Sequence, residues 1–251
     1  MIELDKIYNE DCLEGMKRIA DGAVDCIISD LPYGTTACSW DAVIPFEPLW
    51  EQFKRVTKPN AAIVLFGSEP FSTMLRMSNF KQWKYDWIWD KVSKQGVLNA
   101  KLRPLKQHEI ISVFCYGKPP YYPQKVKIGR PRQKGAPSRR TGNGDSVYNK
   151  FDYKKQPKNN DYYPSSIITF SNGDHTDVDH PTQKPVDLLR YLILTYSNEG
   201  DTILDATIGS GTTAVAALME KRHFIGFETN KEYFDIAQGR IDEIRRNPTL
   251  F

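Results

Sequence analysis

Short apolar runs alternate with amphipathic stretches along most of the chain. Val24-Asp25-Cys26-Ile27-Ile28-Ser29 and Ala61 to Phe66 are brief and rich in branched residues, as buried strands are. Asp5 to Tyr8, Tyr85 to Asp90, Glu109 to Tyr116, Thr202 to Asp205 and His223 to Phe227 read as further strands. Between them the apolar period lengthens to that of helices. Cys12, Met16 and Ile19 share one face, Phe46 to Val56 forms a second helix before Lys58-Pro59-Asn60, and a third runs to about Asn79. Val186, Leu189, Ile193 and Tyr196 mark a fourth, and Phe234, Ala237, Ile241 and Ile244 the core face of the last. The polar stretch Lys91 to His108 is expected to join two strands. Strands and helices in alternation predict an α/β fold, with a mostly parallel sheet covered on both faces.

The pattern breaks at Gly117. Prolines 119, 120, 123, 131 and 137 interrupt a stretch with turn chemistry throughout, so an inserted lobe is expected over 117–174. The catalytic body would then be 1–116 and 175–251.

Charge sharpens that division. The net charge is only +3, but Lys118 to Lys158 holds twelve Lys or Arg against Asp145 and Asp152. The rest has 22 basic and 29 acidic residues. Tyr148, Phe151, Tyr153, Tyr162 and Tyr163 interleave with the cations, and cations for phosphates with aromatics for bases favour nucleic acid. The candidate DNA contacts are Lys125, Lys127, Arg130, Arg132, Lys134, Arg139 and Arg140. No apolar run approaches a membrane span, the N-terminus lacks a signal-peptide layout, and four scattered cysteines with four histidines predict reduced thiols and no metal. A cytoplasmic protein is expected.

Two stretches carry candidate chemistry. Asp30-Leu31-Pro32-Tyr33 follows a strand, where open parallel sheets place ligands. A carboxylate, a backbone carbonyl and an aromatic face together suit a planar amino group. The second is Asp205 to Glu228: strand, the glycine turn Ala206 to Thr213, helix, strand, acid. The glycines let backbone approach a ligand, and Glu228 suits a ribose, which points to a nucleoside cofactor. A dinucleotide fits the spacing, but Asp205 favours the sulfonium and ammonium of S-adenosylmethionine over a pyrophosphate. Asp11, just after a strand, is either a helix cap or a ligand. Only one helix follows Glu228, so earlier strands must complete a permuted sheet holding both corners.

Asp30 to Tyr33 resembles the Asp-Pro-Pro-Tyr motif of DNA amino-methyltransferases, Asp205 to Thr213 their methionine-binding glycine motif, and His180 to Pro185 the stretch before it. Catalytic motif, recognition region and cofactor motif stand in the order of the β group. Leu31 replaces the usual proline, and Ala206-Thr207 a common Pro-Phe. The resemblance implies a permuted Rossmann-like methyltransferase with a mostly parallel seven-stranded sheet and an inserted recognition lobe. It implies that Asp30 and the Leu31 carbonyl bind the target amine beside Pro32, and that Tyr33 stacks on a flipped base. Asp205, Gly209 and Gly211 would line the methionine part of S-adenosylmethionine, with Thr182, Lys184, Ser210 and Thr212 near its carboxylate. Glu228 would hold the ribose, Asp11 and Cys12 the adenine, and Phe66, Thr207, Asn230 and Asp30 would complete the cofactor site. Asp rather than Ser at position 30 leans towards adenine N6; cytosine N4 is the alternative. An NAD-dependent oxidoreductase and a non-catalytic DNA-binding protein are the readings from other classes. Double-stranded DNA is the expected partner, with a homodimer and a cognate restriction endonuclease left open.

Overall fold

The computed structural model describes residues 2–34, 42–132, 158–171 and 183–247. The first half runs β1 (Lys6–Tyr8), α1 (Cys12–Met16), β2 (Val24–Ser29), α2 (Phe46–Val56), β3 (Thr57–Gly67), α3 (Phe71–Ser78), β4 (Trp83–Gln95) and β5 (Lys106–Phe114). The second runs β6 (Val126–Arg132), β7 (Asn159–Tyr162), β8 (Ile167–Thr169), α4 (Val186–Tyr196), β9 (Thr202–Asp205), α5 (Thr212–Met219), β10 (His223–Phe227) and α6 (Lys231–Arg246).

Eight strands form the main sheet, in the order β1-β10-β9-β2-β3-β5-β4-β8. All pairings are parallel except those of β5, which runs antiparallel to β3 and β4. The count exceeds the expected seven because β8 adds to the edge of β4, opposite Ile88 to Asp90. Three residues with one buried side chain, Ile168, are too few to show a period in sequence.

Alternate side chains of each strand feed two cores. Cys26, Ile28, Val64, Phe66, Trp87 and Trp89 pack with α4, α5 and α6. Ile27, Ile63, Leu65 and Phe227 pack with α1, α2 and α3. Burial on both faces is why β2 and the latter half of β3 read as continuous apolar runs. β4 and β5 reach further than their apolar pattern, with Gln95 opposite Lys106 in an otherwise polar extension.

The chain divides into two compact units, residues up to 122 with those from 166 onward, and residues 123–165. The lobe boundaries expected at 117 and 174 therefore fall further inside. Tyr122 N–H donates to Thr195 O, and Ile88 N–H to Ser166 O, which ties one flank to α4 and the other to β4. The second unit contains an antiparallel pair, β6 with β7, in which Val126 faces Tyr162 and Lys127 faces Asp161. Among the described residues no helix is long and apolar enough to cross a membrane.

From β2 the chain proceeds to β3 on one side; from β9 it proceeds to β10 on the other. β2 and β9 are neighbours, so the strand order switches between them. A crevice forms at the carboxyl ends of such a pair.

Candidate functional site

The two sequence corners meet in that crevice. Ile27 lies opposite Leu204, so β2 and β9 deliver Asp30 and Asp205 side by side. Hydroxyls stitch the corners together. Ser29 Oγ donates to Asp205 Oδ1 at 2.6 Å and accepts the Ala206 N–H at 3.0 Å. Thr207 Oγ1 donates to the Asp30 carbonyl at 3.0 Å.

Asp205 is only 4% exposed, and its donors are neutral: Ser29, the Thr207 N–H at 3.1 Å and Thr213 Oγ1 at 2.6 Å. Burial pushes its carboxyl up to about 6, against those hydrogen bonds. Gly209 and Gly211 turn the chain from β9 into α5 with φ of +53° and +83°. A Cβ at Gly211 would come within 2.8 Å of Ala237, so this glycine allows α6 to approach. A Cβ at Gly209 would meet nothing within 4 Å, because Gly209 faces a cavity. Glu228, at the end of β10, accepts the Gly209 N–H at 3.0 Å and the Asn230 N–H at 2.7 Å. Burial raises its carboxyl above the ordinary range.

The cavity has a volume of about 460 Å³. Asp11, Cys12, Asp30, Leu31, Pro32, Tyr33, Phe66, Lys184, Asp205, Thr207, Gly209, Ser210, Thr212 and Glu228 line it. Gly211 and Asn230 do not; Gly211 faces α6, and Asn230 Oδ1 caps that helix by accepting from Glu232 and Tyr233 N–H. Thr182 lies outside the described residues. Asp11 both caps α1 and lines the cavity. Cys12 is a buried thiol pushed up to about 12, mainly by burial.

Six acids line the cavity (Glu10, Asp11, Asp30, Glu109, Asp205, Glu228) against Lys91 and Lys184. That balance fits a cationic, ribose-bearing cofactor and opposes a pyrophosphate. The open side of Gly209, the carboxyl of Asp205 with no charged partner among the described residues, and Glu228 at its strand end accommodate S-adenosylmethionine.

Asp30 is held differently. Tyr33 Oη donates to its Oδ1 at 2.5 Å, and Lys184 Nζ lies 2.5 Å from Oδ2. The same ammonium is 3.3 Å from Glu109 Oε2, and Lys91 pairs with Glu109 Oε1. A row of alternating charges, Lys91–Glu109–Lys184–Asp30, thus runs into the site. Burial works against the Lys184 ammonium, but Asp30 and Glu109 outweigh it and hold it above the ordinary lysine range. Burial also opposes ionisation of Glu109, and the two lysines overcome this and lower its carboxyl. Lys184 also sits over the Phe66 ring, 5.2 Å from its centroid. The Tyr33 ring stacks on Phe71 at 4.9 Å and 27°.

In the second unit Lys125, Lys127 and Arg130 are exposed, and Lys125 Nζ stands 4.6 Å from the Tyr163 ring centroid. Arg132 ends β6. Lys134, Arg139 and Arg140 lie outside the described residues.

Sequence reasoning assigned no role to Ser29, Thr213, Gln183, Arg240 and Lys91, and set Glu109 aside as a general base. Gln183 Oε1 accepts from Ser210 Oγ at 3.1 Å, and Arg240 Nη1 donates to Ser210 O at 2.7 Å and Thr212 Oγ1 at 3.1 Å. A signal existed for Lys91. It continues the buried alternation Trp87, Trp89, where a charge needs a partner.

Comparison with known proteins agrees with this geometry. A family model described as DNA methylase, of the N6/N4 methyltransferases, matches residues 24–239. Type II methyltransferase M.HpaI of Haemophilus parainfluenzae is 28% identical over 94% of this chain and 74% of its own. Among solved structures, the M1.HpyAVI–SAM complex superposes with a TM-score of 0.63 at 24% identity, over 94% of this chain and 98% of that one. The PvuII DNA methyltransferase (cytosine-N4-specific) gives 0.64 at 15% identity, over 96% and 91%. The chain thus belongs to the N6/N4 DNA methylase family, as a methyltransferase that acts on DNA with S-adenosylmethionine as methyl donor.

Proposed function

We propose that the protein methylates the exocyclic N6 of adenine at a specific sequence in double-stranded DNA. The observation that carries this is Asp30, placed one strand from Asp205 with both oxygens already oriented, by Tyr33 and by Lys184. In this role the remaining lone pairs of Asp30 and the Leu31 carbonyl accept the two amino hydrogens. Pro32 restricts the backbone at this turn. The Tyr33 ring, backed by Phe71, stacks on the extruded base. Two acceptors in one plane hold the amino lone pair out of the conjugated ring and towards the Asp205 side, so that positioning drives transfer without a covalent enzyme intermediate. S-adenosylmethionine supplies a methyl group made electrophilic by its sulfonium. Asp205 and Gly209 would sit at its methionine part, Ser210, Thr212 and Gln183 near its carboxylate, Glu228 at the ribose hydroxyls, and Asp11 and Cys12 at the adenine.

Asp rather than Ser at position 30 supports adenine over cytosine N4; the fold does not discriminate, since a cytosine-N4 enzyme superposes as well as the M1.HpyAVI–SAM complex. Chromatography and mass spectrometry of nucleosides from DNA of expressing cells tests the assignment. N6-methyladenine is the expected product, and N4-methylcytosine would reverse it.

The unit 123–165 serves target recognition in this reading, with Lys125, Lys127 and Arg130 on phosphates. Changing all three to Gln should flatten the salt dependence of duplex binding by roughly three in logarithmic slope. An unchanged slope would remove the unit from the DNA interface. A cognate restriction endonuclease is the partner that a type II role implies.

A further inference from the structure

The hairpin of β4 and β5 carries a feature that the catalytic arrangement does not use. Its base belongs to the site: Trp89, Lys91, Gln95 and Glu109 all line the cavity. Its far end is exposed. Leu98 is 99% exposed and Leu102 84%, with Val97 exposed beside them. Yet the tip is ordered by its own backbone. Val97–Asn99 forms a turn of 3₁₀ helix, Asn99 N–H donates to Gly96 O at 2.9 Å, and Leu102 and Arg103 N–H donate to Asn99 O at 2.9 and 3.0 Å. At the base, Gln107 Nε2 donates to Asp90 Oδ1 at 3.0 Å, and the buried Lys91–Glu109 pair ties the two strands together. Val92 adopts φ of +65°, a conformation branched residues avoid, just where the β4–β5 register shifts between Asp90 and Gln95.

Charge identifies the partner. Residues 91–108 include Lys91, Lys94, Lys101, Arg103 and Lys106 and no acid. Lys94, Lys101 and Arg103 are exposed around the leucines. Apolar side chains offered to water within a cationic rim match proteins that wedge a side chain into a base stack while cations hold the flanking phosphates. We propose that this hairpin is a DNA wedge: Leu98 and Leu102 enter the duplex beside the target, filling the space left when the base is extruded into the cavity, and Lys94, Lys101 and Arg103 hold the adjoining backbone. The inference rests on the DNA methyltransferase reading and adds a second DNA-contacting element to the one proposed for residues 123–165.

The full-length protein with Leu98→p-benzoylphenylalanine, irradiated with sonicated genomic DNA and S-adenosylmethionine, should form a covalent protein–DNA adduct. Absence of that adduct, or a protein–protein adduct in its place, would overturn the wedge, the latter marking the tip as a contact between copies of this chain. Leu98→Ala with Leu102→Ala should lower tritium transfer to duplex DNA about tenfold or more, because the unstacked state loses its support. Calorimetric affinity for S-adenosylmethionine and the thermal midpoint should hold. Undiminished transfer by the double variant would also overturn the wedge. If the adduct forms but the unsubstituted protein transfers nothing to any DNA, the wedge stands and the methyltransferase reading fails.

Discussion

Asp30 and Asp205 end neighbouring parallel strands, yet their surroundings differ in kind. Asp205 is buried among two hydroxyls and a backbone N–H, with no charged partner at hydrogen-bond distance among the described residues, and its carboxyl is pushed up to about 6. Asp30 is 28% exposed at its side chain and already has a cation, Lys184, at 2.5 Å. The difference follows from what each must meet. A carboxylate ringed by neutral donors gains most from a ligand that brings its own positive charge, which S-adenosylmethionine does. A carboxylate that meets a neutral amine needs direction more than charge, and two fixed partners supply it. One residue type thus serves as an electrostatic receptor on β9 and as a positioning device after β2.

The largest effect separates the two. Asp30→Ala should reduce methyl transfer on the order of 10³-fold, by loss of a directed acceptor in the transition state. Calorimetric affinity for S-adenosylmethionine should stay within about threefold. Equal losses in both would erase the distinction. Asp205→Asn should do the reverse, weakening cofactor binding roughly tenfold to a hundredfold through one charge-assisted contact. Its pH dependence is more specific. The carboxyl rises from an ordinary 3.8 to about 6 in the folded protein, so it favours the protonated form. Its contribution to stability is therefore full below 3.8 and is lost as pH rises through about 6; Glu228, also raised, acts in the same sense. Cofactor affinity should move oppositely, increasing as pH rises through about 6 and then levelling, with Asp205→Asn losing most of that rise and Glu228 supplying the remainder. Parallel pH curves for both proteins would show that Asp205 is not the receptor.

How far these environments could be read in advance depended on the distance of each contact along the chain. The strands beneath both corners were legible because both their faces are buried, so composition alone marks β2 and β9. The two glycines after Asp205 and the acid at Glu228 were legible from spacing, which local backbone geometry sets. Ser29 and Thr213 were not, although they decide how Asp205 is held. Ser29 reaches Asp205 only through the β2–β9 register, and Thr213 only after α5 begins at Thr212. The extensions of β4 and β5 failed for another reason: a polar ladder has no apolar period to show. Lys184 was expected at the cofactor carboxylate, and its pairing with Asp30 and Glu109 had no signal in the sequence.

That last difference supplies the smallest test. Glu109 touches neither corner directly, but it stands between Lys91 and Lys184 and so fixes the ammonium that fixes Asp30. Removing its charge leaves the Lys91 ammonium without its carboxylate and Lys184 with one of its two. Lys184 must then yield alignment, and the second oxygen of Asp30 loses its reference. Glu109→Gln should lower kcat about tenfold while the KM for S-adenosylmethionine changes less than about twofold. Breaking a buried pair also costs about 3–5 kcal/mol of stability, so kinetics belong well below the variant's thermal midpoint. A rise in that KM without loss of kcat would place Lys184 at the cofactor carboxylate, as its sequence position suggested. Asp30 and Asp205 would then share one cation-handling role rather than dividing the amine from the donor.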